Sequence, residues 1–346
     1  MKKDTFMELI HNLMLKMQQD IISGVFNDVL PPIRLLAQHY NVGESTMKLS
    51  LKHLKENGFL IGQQGKCISV NPLAINNHFF QKNIIVYIKL PRLGLRLYTS
   101  IIESLRETFE TNGAYVHLIN SISQLKSRKI DADIIIAAET KGEEIQYITD
   151  NYSSEKIILL NGYLDKYANV GTDNFQAGFD AIKYLHQEKK HTVIGILSMY
   201  LNYDLSFNKF RRDGAIEYSK QHPEVKLLEV DTENFASNEE AVDYLLTSKN
   251  QITAIFATMD TLAFSVFSYA AKNKIEIPSQ LTILGFDNSK FCDFTIPPLS
   301  SFEEDLDGIT QQLLKLTQNK LIKVQDNKQY LFPATLIKRQ SVHQNI

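Results

Sequence analysis

Residues 42–60, VGESTMKLSLKHLKENGFL, have the types and spacing that contact with a nucleic acid requires. In a helix, three apolar residues fall on one side and three lysines on the other: Met47, Leu51 and Leu54 against Lys48, Lys52 and Lys55. A helix that enters the DNA major groove needs an apolar back, small polar residues for base edges and cations for phosphates. Taken alone, the pattern also fits a plain helical bundle with a solvated lysine face.

Three helices and a hairpin are predicted for residues 1–72, and they would position the basic helix. Apolar residues at helical spacing predict a first helix that runs to Ile22 and is ended by Gly24. A second helix is predicted to start at Pro31-Pro32 and to turn three side chains inward: Leu36, Ala37 and Tyr40. Residues 59–70, FLIGQQGKCISV, predict two short strands around a turn. Two short helices followed by a hairpin indicate a winged helix-turn-helix, which is a DNA-binding unit.

The charge of the chain is unevenly distributed. Residues 1–72 contain eight Lys/Arg and six Asp/Glu, whereas the net charge of the whole chain is −2. This asymmetry is weak support for a nucleic-acid partner. The chain has no phosphate-binding loop, no Gly-x-Ser-x-Gly elbow and no histidines at metal-ligand spacing, so we expect no enzyme, cofactor or metal. The two cysteines, Cys67 and Cys292, are expected to be ordinary thiols.

The first 20 residues do not resemble a signal peptide. Polar residues such as Glu8, His11 and Lys16 interrupt the apolar ones, and a small-residue cleavage site is missing. Nothing in the chain resembles a run of apolar residues long enough to cross a bilayer. We therefore expect a cytoplasmic protein.

Residues 83–346 alternate between short apolar segments rich in β-formers and helical segments. Eight segments are predicted as strands: IIVYIK, AYVHLI, ADIIIAA, KIILL, TVIGIL, VKLLEV, TAIFA and LTILGF. This alternation predicts a doubly wound parallel α/β sheet with ligands beyond the carboxyl ends of its strands. The expected domains are 1–72 and 83–346, with residues 73–82 as a polar linker.

A set of motif residues spans residues 21–70 in one order and spacing. They are Ile22-Ser23-Gly24, Leu30-Pro31, Arg34, Leu36-Ala37, Val42, Thr46, Leu51, Leu54, Gly58, Phe59-Leu60 and Gly65. This order resembles the GntR-type winged-helix repressors. The chain departs from that pattern at Pro32-Ile33, at Gly43-Glu44 and at Cys67, so its operator should differ from the family's common one.

The resemblance implies a set of operator contacts. They are Arg34, Glu44, Ser45, Thr46, Lys48 and Lys52 on the helices and Gln64 and Lys66 on the wing. Arg34 begins the helix that crosses the DNA backbone. Glu44 has two interpretations, since it can accept a hydrogen bond from a cytosine amino group or favour the helix N-terminus.

The second segment contains VGTDNFQAGFDAIKYL, FRRDGAIEY, LTILGFDNS and, near its end, PATLIKRQS. It resembles the LacI-type effector domain, which is similar to periplasmic sugar-binding proteins. This implies two α/β lobes with three crossings between them and a ligand in the cleft. A GntR-type head on such a body occurs among sugar-responsive regulators, including those for arabinose.

The same resemblance implies the effector-binding residues, which are Tyr98, Asn161, Phe207, Arg211, Met259, Asp287 and Glu304. Arg211 and Asp287 either bind sugar hydroxyls or form a structural ion pair. The rings of Tyr98 and Phe207 either stack on the sugar or pack in the core. Met259 replaces a family asparagine and either faces an apolar sugar group, such as a deoxysugar methyl, or packs. Asp173 and Asp260 are expected to cap helices.

The predicted function is a DNA-binding transcriptional regulator, a repressor whose operator affinity changes when a monosaccharide binds between the lobes. It would act as a homodimer on a near-palindromic duplex. Two alternatives remain: a solute-binding protein for sugar transport, and an adaptor that has lost DNA binding.

Overall fold

Three helices and a two-stranded hairpin form the N-terminal unit, residues 2–70. Its elements are α1 (Lys2–Ile22), α2 (Ile33–His39), α3 (Glu44–Glu56), β1 (Leu60–Ile61) and β2 (Ser69–Val70). Left-handed glycines end two of the helices as predicted, since Gly24 has a φ of 78° and Gly58 a φ of 71°. The apolar side of α3 packs with α1 and α2 in one core, so the predicted three helices and hairpin are confirmed.

This computed structural model describes residues 2–26, 28–62, 67–75, 77–88, 96–138, 140, 142–162, 164, 166–199, 207–247, 251–321 and 327–343. None of the helices in these ranges is long and apolar enough to cross a membrane.

The first lobe of the body is a six-stranded, fully parallel sheet in the order β4-β3-β5-β6-β7-β13. Its strands are β3 (Asn83–Ile88), β4 (Tyr115–Ile119), β5 (Ile134–Ala138), β6 (Ile157–Leu160), β7 (Ala168–Thr172) and β13 (Gln329–Phe332). Its helices are α4 (Arg96–Thr111), α5 (Ile122–Arg128), α6 (Glu143–Asn151) and α11 (Leu306–Leu321). Separate apolar clusters cover the two faces of the sheet, as a doubly wound fold requires.

The second lobe is a six-stranded sheet in the order β9-β8-β10-β11-β12-β14, in which only β14 is antiparallel. Its strands are β8 (Val193–Ser198), β9 (Lys226–Asp231), β10 (Ala254–Ala257), β11 (Thr282–Phe286), β12 (Ser300–Glu303) and β14 (Thr335–Ile337). Its helices are α7 (Asn174–Lys183), α8 (Phe207–Gln221), α9 (Asn238–Thr247) and α10 (Asp260–Asn273). Again both faces of the sheet are covered.

The chain crosses between the lobes three times. The crossings lie at residue 173 between β7 and α7, at residues 304–305 between β12 and α11, and at residues 333–334 between β13 and β14. The two lobes and three crossings agree with the expectation from the resemblance.

All eight predicted strands are present, and four further strands were not predicted. The missed strands β7 and β12 contain buried polar residues such as Thr172 and Ser301. The missed strands β13 and β14 consist of exposed and partly exposed residues. None of the four is the continuous apolar run that marks a buried strand.

The predicted linker is packed and is not a solvated tether. Phe80 lies in the core of the N-terminal unit, edge-on to Phe59 with ring centroids 5.0 Å apart. Its neighbour Phe79 packs instead on Phe109 of α4, at 5.2 Å. Two adjacent aromatic residues therefore pack on different units, Phe80 on the N-terminal unit and Phe79 on the first lobe.

Two glycines allow α7 and α8 to approach unusually closely. A Cβ atom at Gly178 would lie 1.8 Å from the Arg211 carbonyl oxygen, and one at Gly214 would lie 1.9 Å from the Phe175 carbonyl oxygen. Both obstacles are backbone atoms, so a side chain at either position requires one helix to move.

We expect Gly178→Ala to lower the free energy of unfolding by about 1–3 kcal/mol, because the added methyl group must push α7 and α8 apart. Denaturant unfolding measures the change. Gly43→Ala is the matched control, since no atom lies within 4 Å of its added Cβ, and it should cost no more than about 1 kcal/mol. Equal stability of the Gly178 variant and the wild type would refute the close contact.

Candidate functional site

The guanidinium group of Arg211, on α8, is the centre of the site, and the residue is only 2% exposed. Its Nε donates to Asn174 Oδ1 at 2.8 Å and its Nη1 donates to the Thr258 carbonyl oxygen at 2.7 Å. The Phe286 ring lies against the guanidinium carbon, 3.4 Å from the ring centroid to that atom. A buried cation is tolerated only when its N–H groups have hydrogen-bond acceptors and its charge is compensated.

Two carboxylates complete the surroundings of Arg211. Asp287 Oδ1 lies 3.4 Å from Nη1, and Glu304 Oε1 lies 3.5 Å from Nη2. Asp287 directly follows β11, with an unusual backbone φ of 107°, and its side chain is 20% exposed. Glu304 lies at the second crossing between the lobes. The arginine thus holds one acid of the second lobe and one at a crossing.

A chain of hydrogen bonds continues from Glu304 into the first lobe. Thr172 Oγ1 donates to Glu304 Oε1 at 2.9 Å, and the Thr172 backbone N–H donates to Asn161 Oδ1 at 3.0 Å. Asn161 Nδ2 in turn lies 3.3 Å from the Tyr98 hydroxyl. Four of the predicted effector residues, Tyr98, Asn161, Glu304 and Arg211, therefore belong to one network that spans both lobes.

Two alternatives were open for the Tyr98 ring, stacking on a sugar or packing in the core, and its contacts are those of packing. Tyr98 is fully buried, its ring packs in the apolar core of the first lobe, and only its hydroxyl reaches the network. Phe207 is 6% exposed, and its ring lies 4.7 Å from the Arg211 guanidinium carbon. Both aromatic rings therefore pack in an apolar core, Tyr98 in the first lobe and Phe207 in the second.

Met259 also packs, in the core of the second lobe, and is 6% exposed. Its sulfur lies 3.3 Å from Asn208 Nδ2. Asn208 was not predicted from the sequence, although it lies within the FNKFRRDG segment next to Phe207. Asn174, Thr172 and Thr258 were missed as well, because short polar residues at strand and helix ends carry no distinctive pattern.

The expected cap at Asp173 is confirmed, whereas the one at Asp260 is wrong. Asp173 accepts a hydrogen bond from the backbone N–H of Gln176 at 3.0 Å. The buried Asp260 carboxylate turns away from its helix end. It accepts from three groups of one neighbouring loop and strand: Ser289 N at 2.7 Å, Ser301 Oγ at 2.7 Å and Cys292 Sγ at 3.0 Å. It therefore fixes the loop that follows Asp287.

Three buried side-chain oxygens near the carboxyl ends of strands or at the start of α8 have no hydrogen-bond partner within the described ranges. They belong to Thr140 beyond β5, Ser198 at the end of β8 and Asn208. Residues 89–95 and 200–206, which follow β3 and β8, lie outside those ranges. Thr140 and Ser198 lie at or beyond the carboxyl ends of strands, the edge where doubly wound sheets bind ligands.

Most predicted operator contacts on the helices are exposed. Arg34, Glu44, Ser45, Lys48 and Lys52 are open to solvent. Thr46 corrects the prediction, because it is 7% exposed and packs on the inner side of α3. The two wing residues, Gln64 and Lys66, lie outside the described residues.

Comparison with known proteins supports the fold of the body. Residues 182–342 match the family model described as a periplasmic binding protein-like domain. An Escherichia coli sugar-binding transcriptional regulator of the LacI family, complexed with phosphate, is similar with a TM-score of 0.63 at 20% identity, over 76% of this chain and 100% of that one. The body has a periplasmic-binding-protein-like fold. The transcriptional regulator CelR–cellobiose complex is similar with a TM-score of 0.65 at 15% identity, over 90% of this chain and 100% of that one.

Two curated relatives match most of the length of the chain. The HTH-type transcriptional regulator MalR of Clostridium butyricum is 23% identical over 333 residues, which is 89% of this chain and 93% of MalR. The HTH-type transcriptional repressor CytR of Escherichia coli K12 is 22% identical over 301 residues, or 83% and 84% of the two chains. These relatives are regulators of transcription.

The comparisons do not support the GntR-type assignment of the N-terminal unit. The family match covers only the periplasmic-binding-protein-like body, and the E. coli structure carries the LacI family name. The type of the N-terminal unit therefore rests on its sequence pattern and its three helices and hairpin.

Burial dominates the electrostatics of the cleft. It raises the pKa of Asp287 well above its ordinary value of 3.8, although the Arg211 charge opposes the shift. Burial also raises the pKa of Asp260, against hydrogen bonds that lower it. The cleft thus keeps protons on its aspartates at pH values where the unfolded chain has released them.

We expect the free energy of unfolding to fall as the pH rises from about 3.8 towards the raised pKa of Asp287, because native protein holds a proton that unfolded protein has lost. Asp287→Asn is neutral at every pH and should remove this part of the slope. Denaturant unfolding at a series of pH values measures it, with the exposed Asp131→Asn as control. A slope that is identical in the wild type and Asp287→Asn would contradict the buried carboxyl.

Proposed function

We propose that this protein is a ligand-responsive transcriptional repressor whose effector is a monosaccharide bound between the lobes. One observation carries the proposal: the Arg211 fork lies between Asp287 and Glu304 and is joined through Thr172 to the first lobe. The relatives that are named as regulators and repressors of transcription support the regulatory part.

The polar groups of the cleft suit a neutral polyhydroxylated ligand. Arg211 offers planar donors on an ionised group, and hydrogen bonds to an ionised group are strong. The carboxyl oxygens of Asp287 and Glu304 offer acceptors. The unpaired oxygens of Ser198 and Asn208 are further candidates for ligand hydroxyls. Among the similar structures, CelR contains cellobiose and an Alkaliphilus metalliredigens regulator contains D-xylulofuranose. In this proposal, Met259 would give the cleft an apolar wall opposite the position where the bound sugar lacks a hydroxyl group.

A ligand that contacts both lobes favours one orientation of the lobes over others. The paired rings of Phe79 and Phe80 would carry that orientation to the N-terminal unit, since they pack on the first lobe and on the N-terminal core respectively. In this proposal the sugar changes the operator affinity by changing the relative placement of two DNA-binding heads.

For the N-terminal unit we infer a winged helix-turn-helix of the GntR type that docks α3 in the major groove. The exposed Arg34, Ser45, Lys48 and Lys52 would contact the operator together with Glu44 and the wing residues Gln64 and Lys66. The outward lysines of α3 and the antiparallel pairing of β1 with β2 support this assignment.

We expect Arg211→Lys to weaken binding of the effector by about ten- to a hundredfold, or roughly 1.5–3 kcal/mol, because lysine keeps the charge but loses the planar pair of donors. Thermal-shift screening of monosaccharides identifies the ligand, since saturation at 100 times the dissociation constant stabilises by about 2.7 kcal/mol. Isothermal titration then gives the affinities. Lysine is preferred to alanine, which would leave buried carboxylates unpaired at a cost of about 3–5 kcal/mol.

The adjacent Arg212→Lys is the matched control, because Arg212 pairs with Glu229 at 3.2 Å outside the cleft. Wild-type sugar affinity in Arg211→Lys would place the effector elsewhere. Operator binding without sugar should be the same in both variants.

We expect Lys48→Ala to weaken operator binding and to reduce the slope of log affinity against log salt by about one, because one phosphate contact is lost. Fluorescence anisotropy with a labelled operator at several salt concentrations measures both quantities. Lys183→Ala, an exposed lysine of α7, should change neither. Unchanged affinity and slope in Lys48→Ala would rule out α3 as the DNA-facing helix.

We further infer a homodimer that binds a near-palindromic operator, since a two-fold symmetric protein matches a two-fold symmetric site. Exposed apolar side chains on the second lobe support self-association. They are Phe291, Phe294 and Ile296, with exposures of 57%, 79% and 92%.

We expect Ile296→Asp to weaken dimerisation, measured by sedimentation, by at least about tenfold. Tyr244→Asp, at another exposed apolar residue, is the control, and an unaltered dimer in Ile296→Asp would exclude this patch.

A further inference from the structure

Two histidines and a glutamate lie together at the far ends of α7 and α8. His186 belongs to the π-helical turn Tyr184–Glu188 that continues α7, and His222 directly follows α8. Asn174, which contacts Arg211, lies 12 residues before His186, or about 18 Å along a helix. The cluster is therefore remote from the sugar cleft.

The three ligand atoms have the separations of a metal site. Glu224 Oε1 lies 3.3 Å from His222 Nδ1 and 3.6 Å from His186 Nε2, and all three ligand atoms lie within 4.8 Å of one another. Ligands at 2.0–2.1 Å from a tetrahedral ion are about 3.3–3.4 Å apart. The observed distances need only a small adjustment to surround an ion.

Tyr218 orients both imidazoles. Its hydroxyl lies 3.0 Å from His186 Nδ1, so a proton on that nitrogen leaves Nε2 unprotonated and directed at Glu224. Its ring stacks on the His222 ring, with centroids 4.3 Å apart and planes at 23°. Tyr218 itself is 1% exposed. Histidines that bind metals are held in this way by a partner at the other ring nitrogen.

We propose that His186, His222 and Glu224 bind a divalent transition metal ion of the zinc type, with water as the fourth ligand. Imidazole nitrogens with one carboxylate favour Zn²⁺ or its neighbours over Mg²⁺ and Ca²⁺. His186 and His222 are too far apart in the sequence to form a recognisable metal-binding motif.

The bound ion would join the turn after α7 to the segment after α8. These two helices start at the cleft and hold Asn174 and Arg211, so the ion would stabilise the helix pair on which the cleft is built. The metal site is a second binding function, and it stands independently of the sugar proposal.

The test is equilibrium dialysis of the untagged full chain against Zn²⁺, with Mg²⁺ as a competitor and Co²⁺ as a spectroscopic probe of tetrahedral coordination. We expect one Zn²⁺ per chain. Glu224→Gln and His222→Ala should each reduce the affinity at least about tenfold, and Tyr218→Phe by about 10- to 100-fold. The last variant keeps the ring and removes only the hydroxyl, so its loss would distinguish an orienting role from packing.

Two controls match the variants. His53→Ala removes a histidine that pairs with Glu56 at 3.2 Å but has no second imidazole in that pair. Glu217→Gln removes a partly exposed carboxylate of α8 that pairs with Lys220. Both should retain wild-type Zn²⁺ affinity. Thermal unfolding without metal verifies that each variant folds. If His222→Ala does not fold, the test rests on Glu224→Gln, because Glu224 is exposed. Failure to bind one Zn²⁺, or equal affinity in wild type and Glu224→Gln, would overturn the site.

Discussion

The burial of one guanidinium group organises the body of this protein. A cation in a protein interior is costly unless its hydrogen bonds and charge are met, and Arg211 satisfies both through an amide, a carbonyl and two carboxylates. Each partner comes from a different element: the start of α7, the end of β10, the end of β11 and the second crossing. The position of α8, and hence of Arg211, depends on the glycine contacts that bring α7 and α8 together.

In the proposed function, the same arginine would couple the two lobes. Glu304 and Thr172 lie at or next to crossings, so the network passes through segments that connect the two lobes. In the proposed mechanism, sugar hydroxyls exchange with contacts of this network and favour one lobe orientation. The required differential affinity comes from hydrogen bonds that only one orientation can complete. No contact between the sugar and the DNA-binding unit is needed.

The sequence predicted what depends on local pattern. Continuous apolar runs identified eight strands, glycines ended two N-terminal helices, and family motifs located Arg211, Asp287 and Glu304. The strands β7 and β12 were missed because their buried positions include Thr172 and Ser301, whose hydroxyls bond to the distant residues Glu304 and Asp260. Asn208 and Asn174 were missed because short polar residues at the starts of helices carry no distinctive pattern. Thr46 and Asp260 were misjudged, and the Tyr98 alternatives stayed open, because tertiary packing decides where those side chains point and a helical or loop pattern does not specify it.

The central claim is that one sugar site and one DNA site are thermodynamically coupled through the body. Coupling between binding sites is reciprocal, so operator must change the sugar affinity by the same factor by which sugar changes the operator affinity. The most direct measurement is calorimetric titration of the sugar into the full chain with and without saturating operator duplex. We expect the sugar dissociation constants of the two titrations to differ by about 5- to 150-fold. Equal dissociation constants, with sugar bound in both, would contradict it.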